Sequence, residues 1–128
     1  MMHTLRGFGA AIVVLAVLDA VWLGFVSREF YKARLGSMLV DTPIWAAAIL
    51  FYVIHAAGVV IFPVRLAAGD LLMALLYGGL FGFCVYAAYD LSNLATLRGW
   101  PVSLTVVDLV WGTALTAVTT AAAAWAAR

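Results

Sequence analysis

Four apolar runs, at about 5–26, 44–62, 71–97 and 102–127, alternate with three short polar breaks. About 20 apolar residues in a helix cover the ~30 Å hydrocarbon core of a bilayer. No water reaches the backbone there, so each run must satisfy its own N–H and C=O groups, and a helix does this within one segment. The expected fold is therefore all-α: a four-helix transmembrane bundle, up-down-up-down, forming one domain over residues 1–128. Composition agrees, with 67% of residues hydrophobic and 10% charged. A soluble domain carries about a quarter charged residues and just under half apolar ones. A chain this short and this apolar cannot clothe a water-facing surface.

Several function classes fall away at once. Seven Lys and Arg against six Asp and Glu leave no basic surface for nucleic acid. The single cysteine, Cys84, lies within an apolar run, which removes a disulfide framework and a thiolate metal site. The first run follows Arg6 as a signal peptide might, but it is long enough to span, and Asp19, Trp22 and Phe25 replace the small residues of a cleavage site. It reads as a retained helix.

The breaks carry the chemistry of helix ends. Thr42-Pro43 offers an N-cap followed by proline at the first helical position. Pro63 is expected to close the second helix, and Gly69-Asp70 gives a turn with a capping carboxylate for the third. Arg98-Gly99-Trp100-Pro101 reads as a tight turn that leaves the third and fourth helices antiparallel neighbours. In the first break, Tyr31, Leu35, Met38 and Leu39 fall at helical spacing with Arg28, Lys32 and Arg34 on other faces. That pattern fits a short interfacial helix between the first two spans, or an irregular basic loop. Arg28, Lys32, Arg34 and Arg98 lie on one side, and Arg6, Arg65 and Arg128 on the other. Four against three favours a cytoplasmic first loop. In the third run Ala74, Gly78 and Gly82 form a small-residue stripe for close helix contact within the bundle, or for a homo-oligomer seam through Gly78 and Gly82.

The polar residues inside the spans converge. Asp19 lies nine residues before Arg28, Asp90 eight before Arg98, and Asp108 seven after Pro101. At ~1.5 Å per residue in alternating helices, all three carboxyls sit roughly 10–14 Å below one membrane face. Asn93 shares a helix face with Asp90 and should close the group from the outer side; Tyr86 lies one turn deeper. His55, twelve residues after Pro43, belongs nearer mid-bilayer as the floor, with Tyr52 three residues before it. Asp19 with Trp22 and Asp108 with Trp111 repeat one spacing on helices of opposite direction, so the two motifs should oppose each other across the bundle.

Two readings remain for these groups. The acids are hydrogen-bonding glue between helices, or they face a ligand, the default for ionisable residues in a membrane. In the second reading Asp19, Asp90, Asn93 and Asp108 hold a polar group, with Trp22, His55, Tyr86 and Trp111 around it. Grouped carboxyls do not all ionise together, so at least one is expected to act as a donor. His55 reads as a satisfied core histidine before a metal ligand, because one His and several Asp lack metal-ligand spacing. No metal and no cofactor are expected, and no nucleophile motif, P-loop or dinucleotide fingerprint occurs.

The runs Leu18-Asp19-Ala20-Val21-Trp22-Leu23-Gly24, Tyr89 to Pro101 and Asp108-Leu109-Val110-Trp111-Gly112, with Phe30-Tyr31 and Leu35-Gly36, carry a resemblance. The whole chain resembles a bacterial family of small four-helix predicted membrane proteins, a domain-of-unknown-function family. The resemblance implies a multi-pass protein of the bacterial inner membrane and assigns no activity. It also implies an association with genes of fatty-acyl modification, including methyltransferases resembling cyclopropane-fatty-acid synthases. The expected function is a polar intramembrane pocket for a membrane lipid or small amphiphile, accessory to lipid modification. The alternatives are a membrane-embedded lipid-modifying enzyme using aspartate acid/base chemistry, and an oligomeric proton-coupled transporter.

Overall fold

The computed structural model describes residues Met1–Arg128 and contains helices and turns with no strand. In chain order the helices are α1 (Met2–Val26), α2 (Arg28–Leu35), α3 (Trp45–Ala67), α4 (Leu71–Thr96) and α5 (Val102–Ala126). All but α2 are long and apolar enough to cross a membrane. Their outer faces expose Val13, Ile49, Leu80 and Val110, which suits a surface solvated by lipid.

Small residues set the closest packing. The α4–α5 pair makes the most extensive interhelical contact in the chain, because glycines let the backbones approach. A Cβ on Gly78 would lie 2.5 Å from Thr120 Cβ, and one on Gly82 would lie 2.5 Å from Thr116 Cβ. The pairs Gly78–Thr120, Gly82–Thr116 and Tyr86–Gly112 step in opposite directions along the two helices, so these run antiparallel. The small-residue stripe is thus covered by α5 of the same chain. Gly99 makes the connecting turn with φ +74°, a left-handed conformation that glycine adopts without a Cβ penalty. Deeper in the bundle Ala11 and Leu15 of α1, Ala56 and Val59 of α3, and Leu115 and Ala123 of α5 form the main apolar core.

Helix ends follow the sequence in part. Asp70 caps α4 by accepting from the Met73 N–H at 3.0 Å. Helix α3 starts at Trp45, with no side-chain cap, two residues beyond Pro43. It does not end at Pro63. The helix widens into a π turn at Val60–Val64, with Pro63 inside it, and continues to Ala67. Proline removes one intrahelical N–H donor, and a wide turn accommodates that loss. Closure comes instead at Ala68 and Gly69, both with positive φ.

A second π turn, Trp22–Val26, ends α1. Ser27 then breaks the helix and donates both its N–H and its hydroxyl to the Trp22 carbonyl, each at 2.8 Å. The chain swings at this point so that α2 folds back over the end of α1. The first break therefore contains a helix at Arg28–Leu35.

Candidate functional site

The two Asp-x-x-Trp motifs meet where α1 and α5 cross. Helical spacing puts Asp19 and Trp22 on one face of α1, and Asp108 and Trp111 on one face of α5. The two indoles stack, with centroids 4.4 Å apart and planes 6° from parallel. Each aspartate then serves the other motif's tryptophan. Trp111 Nε1 donates to Asp19 Oδ1 at 2.9 Å. Trp22 Nε1 donates at 3.2 Å to the Tyr31 hydroxyl, which donates at 2.8 Å to Asp108 Oδ1. Tyr52, reaching from α3, donates to Asp19 Oδ2 at 2.7 Å. Both oxygens of buried Asp19 are thereby satisfied, as a desolvated carboxyl requires.

Asp90 differs. It is 0% exposed, and no N–H or hydroxyl donates to either carboxyl oxygen. The Asp108 carboxyl, on the other arm of the α4–α5 hairpin, lies within hydrogen-bonding reach of it. A buried polar group without a partner costs about 1–3 kcal/mol, more if charged.

Two cavities that share part of their walls surround these groups. The inner one, about 400 Å³, is mostly apolar and includes Asp19, Asp108, the two stacked tryptophans, Phe51 and Tyr86 in its walls. It exists because α3 stands away from α4 at this level. Lower down the two helices close up, and a Cβ on Gly58 would lie 2.9 Å from the Phe81 ring. The outer cavity, about 440 Å³, is more polar, and Arg28, Lys32, Asp41, Asp90 and Trp100 are among its walls. Leu23, Tyr31, Tyr89 and Asp108 belong to both, so Tyr31 and Asp108 stand at the junction. The Tyr31 phenol is pushed above its ordinary range, chiefly by burial and further by Asp108 beside it. It therefore remains a donor at neutral pH.

The remaining candidates are placed as follows. Tyr86 lines the inner cavity in a space that Gly112 leaves open; a Cβ there would run into the ring. His55 does not line either cavity. It is buried between the rings of Phe51 and Phe81, both near-parallel to it, and its Nε2 lies 3.1 Å from Thr116 Oγ1. Asn93 is half-buried, lines neither cavity, and has no side-chain hydrogen bond to the acids. No three His, Cys, Asp or Glu side chains converge as a metal ion would need.

Sequence reasoning missed Tyr31 and Tyr52 as partners of the acids. Tyr52 had a visible signal, one helical turn from His55 on the face turned inward. Tyr31 had only its place in an apolar stripe, because the swing at Ser27 that returns it to Asp108 is not a matter of periodicity.

The helices and the polar group they enclose define a multi-pass helical membrane protein. The chain belongs to the family described as "Predicted membrane protein (DUF2177)", which matches residues 4–125. No curated protein and no solved structure matches it.

Proposed function

We propose that this protein holds a membrane lipid or other small amphiphile, with an apolar chain in the inner cavity and its polar end in the outer one. The observation that carries this reading is the junction: an apolar chamber and a more polar vestibule bearing Arg28 and Lys32 share Tyr31 and Asp108 as walls. Ligand sites are concave, mostly apolar and about 300–1,000 Å³, with a few placed polar groups. In this reading the four spans cross the bilayer of a bacterial inner membrane up-down-up-down, and α2 lies along the interface over the vestibule. Its Tyr31–Asp108 bond and the Arg34 Nε–Ser103 Oγ bond, 2.9 Å, support that position by tying α2 to the start of α5.

Binding has more support than catalysis. Both oxygens of Asp19 are engaged by aromatic donors, which fixes a shape and leaves this acid no free oxygen for acid/base chemistry. Proton-coupled transport has less support still. Below the chamber the bundle is filled by Leu15, Val59, Leu115 and Thr116, and the buried threonines Thr119 and Thr120 bond back to their own helix. The protein then serves as an accessory that presents or protects an amphiphile for fatty-acyl or lipid modification carried out elsewhere.

Mass spectrometry of protein purified in a mild neutral detergent tests this. Wild type should retain an amphiphile in stoichiometric amount, and Val85→Trp, which fills the inner cavity, should lose it. Wild type without bound amphiphile, or a filled variant that keeps the same amount, contradicts the reading.

A further inference from the structure

The geometry points to an ammonium group as the part of the ligand that sits at the junction, paired with Asp108, which Asp90 backs from inside the bundle, and walled by aromatic rings. This inference rests on the amphiphile reading and narrows it to a chemical class. Three observations lead to it. Asp90 is fully buried, receives no N–H or hydroxyl donor on either oxygen, and forms part of the vestibule wall. Asp108 shares that wall, accepts from Tyr31 at Oδ1, and lies within hydrogen-bonding reach of the Asp90 carboxyl. No Lys or Arg bonds to either carboxyl, although Arg28 and Lys32 line the same space from exposed positions.

Carboxylate oxygens are acceptors, so what they lack is donors and positive charge. A primary ammonium brings both; a quaternary one brings charge. Two neighbouring carboxyls do not both ionise, so the pair carries one negative charge; a hydroxyl would bring a donor and leave that charge uncompensated, the costly part of burying it. The walls favour the same choice. Tyr31 and Tyr89 line both cavities beside Asp108, with Trp100 on the outer side and Tyr86 and the Trp22–Trp111 pair on the inner, and aromatic rings attract desolvated cations. Arg28 and Lys32 then face any anionic group carried on the water side of the ammonium.

The test compares three single-chain probes of equal length, octyltrimethylammonium, octanol and octyl sulfate, with choline as the chainless cation. Each is titrated into purified protein in a neutral maltoside detergent, and tryptophan emission is followed, because three of the protein's five tryptophans line the two cavities. Octyltrimethylammonium should bind saturably and about tenfold or more tighter than octanol, with octyl sulfate weakest. Asp108→Asn should abolish the preference and Asp108→Glu should keep it, which separates loss of charge from loss of fold. Equal binding of octanol and octyltrimethylammonium overturns the ammonium site and leaves the amphiphile reading standing. Choline binding as tightly as the octyl compound supports the ammonium site but assigns it to a soluble amine and overturns the amphiphile reading. No saturable binding of any probe overturns both.

Discussion

Trp22 and Trp111 lie face to face at 4.4 Å, and each is tied to the aspartate of the other's motif. The link is direct on one side, Trp111 to Asp19, and passes through the Tyr31 hydroxyl on the other. Two copies of one spacing on antiparallel helices thus lock α1 to α5 while lining a cavity with their outer edges. Offset stacking of this kind adds about 0.5–1.5 kcal/mol beyond area burial.

Removing one donor should expose that dependence. Trp111→Phe keeps a ring in the stack but strips Asp19 Oδ1 of its partner. The expected loss is about 1–3 kcal/mol, read as a lower thermal midpoint in detergent. Trp125→Phe, at an exposed ring on the same helix, should change stability by no more than about 0.5 kcal/mol.

Gly112 directly follows Trp111, and Gly24 lies two residues after Trp22, in different surroundings. A methyl at 112 would strike the Tyr86 ring, whereas one at 24 meets nothing within 4 Å. Gly112→Ala should cost about 1–3 kcal/mol through forced repacking and reduce retention of the amphiphile proposed for the inner cavity. Gly24→Ala should leave both stability and retention near wild type. Equal behaviour of the two variants would show that Tyr86 is not held as described.

Alkaline pH should loosen the tie between α2 and the bundle. Burial and the neighbouring Asp108 raise the Tyr31 phenol above the ordinary value of 10.0. The folded state therefore holds this proton more tightly than the unfolded chain does. Its contribution is complete below about pH 10 and declines as pH rises further, because the unfolded state binds fewer protons there. Tyr31→Phe removes the hydroxyl and with it this part of the alkaline loss. Denaturation midpoints of wild type and variant across pH 7–11 should converge as pH rises; a constant gap would contradict the buried hydrogen-bonded phenol.

Much of the fold could be read from the sequence because the bilayer permits few solutions. Apolar run length fixed the four spans to within a few residues, and Asp70 announced its own cap. At Pro63 the structure departs from the expected helix end. Pro63 signals a helix end by its missing N–H, yet a π turn absorbs that loss and the helix runs on to Ala67. The site was legible to the level of helix faces. Spacing places Asp19 with Trp22 and Asp108 with Trp111, but which donor reaches which acid depends on how the helices rotate against each other. The π turn at Trp22–Val26 decides this for Tyr31. It also depends on helix separation: His55 and Tyr52 share a face of α3, and only Tyr52 reaches the acids, while His55 is sealed between Phe51 and Phe81.

The inner cavity as the seat of an acyl chain can be measured with the stacked tryptophans themselves. Replacing Trp45, Trp100 and Trp125 with Phe leaves Trp22 and Trp111 as the only indoles. Lysophosphatidylethanolamine with a dibrominated chain is then titrated into this variant in a neutral detergent, since bromine quenches indole emission on contact. A chain inside the bundle gives quenching that saturates at low probe fraction and disappears when Val85→Trp is replaced by the non-fluorescent Val85→Phe in the same background to fill the chamber. Quenching that only rises in proportion to the probe fraction, unchanged by the filled chamber, would mean that lipid meets these rings from outside and that the cavity holds no chain.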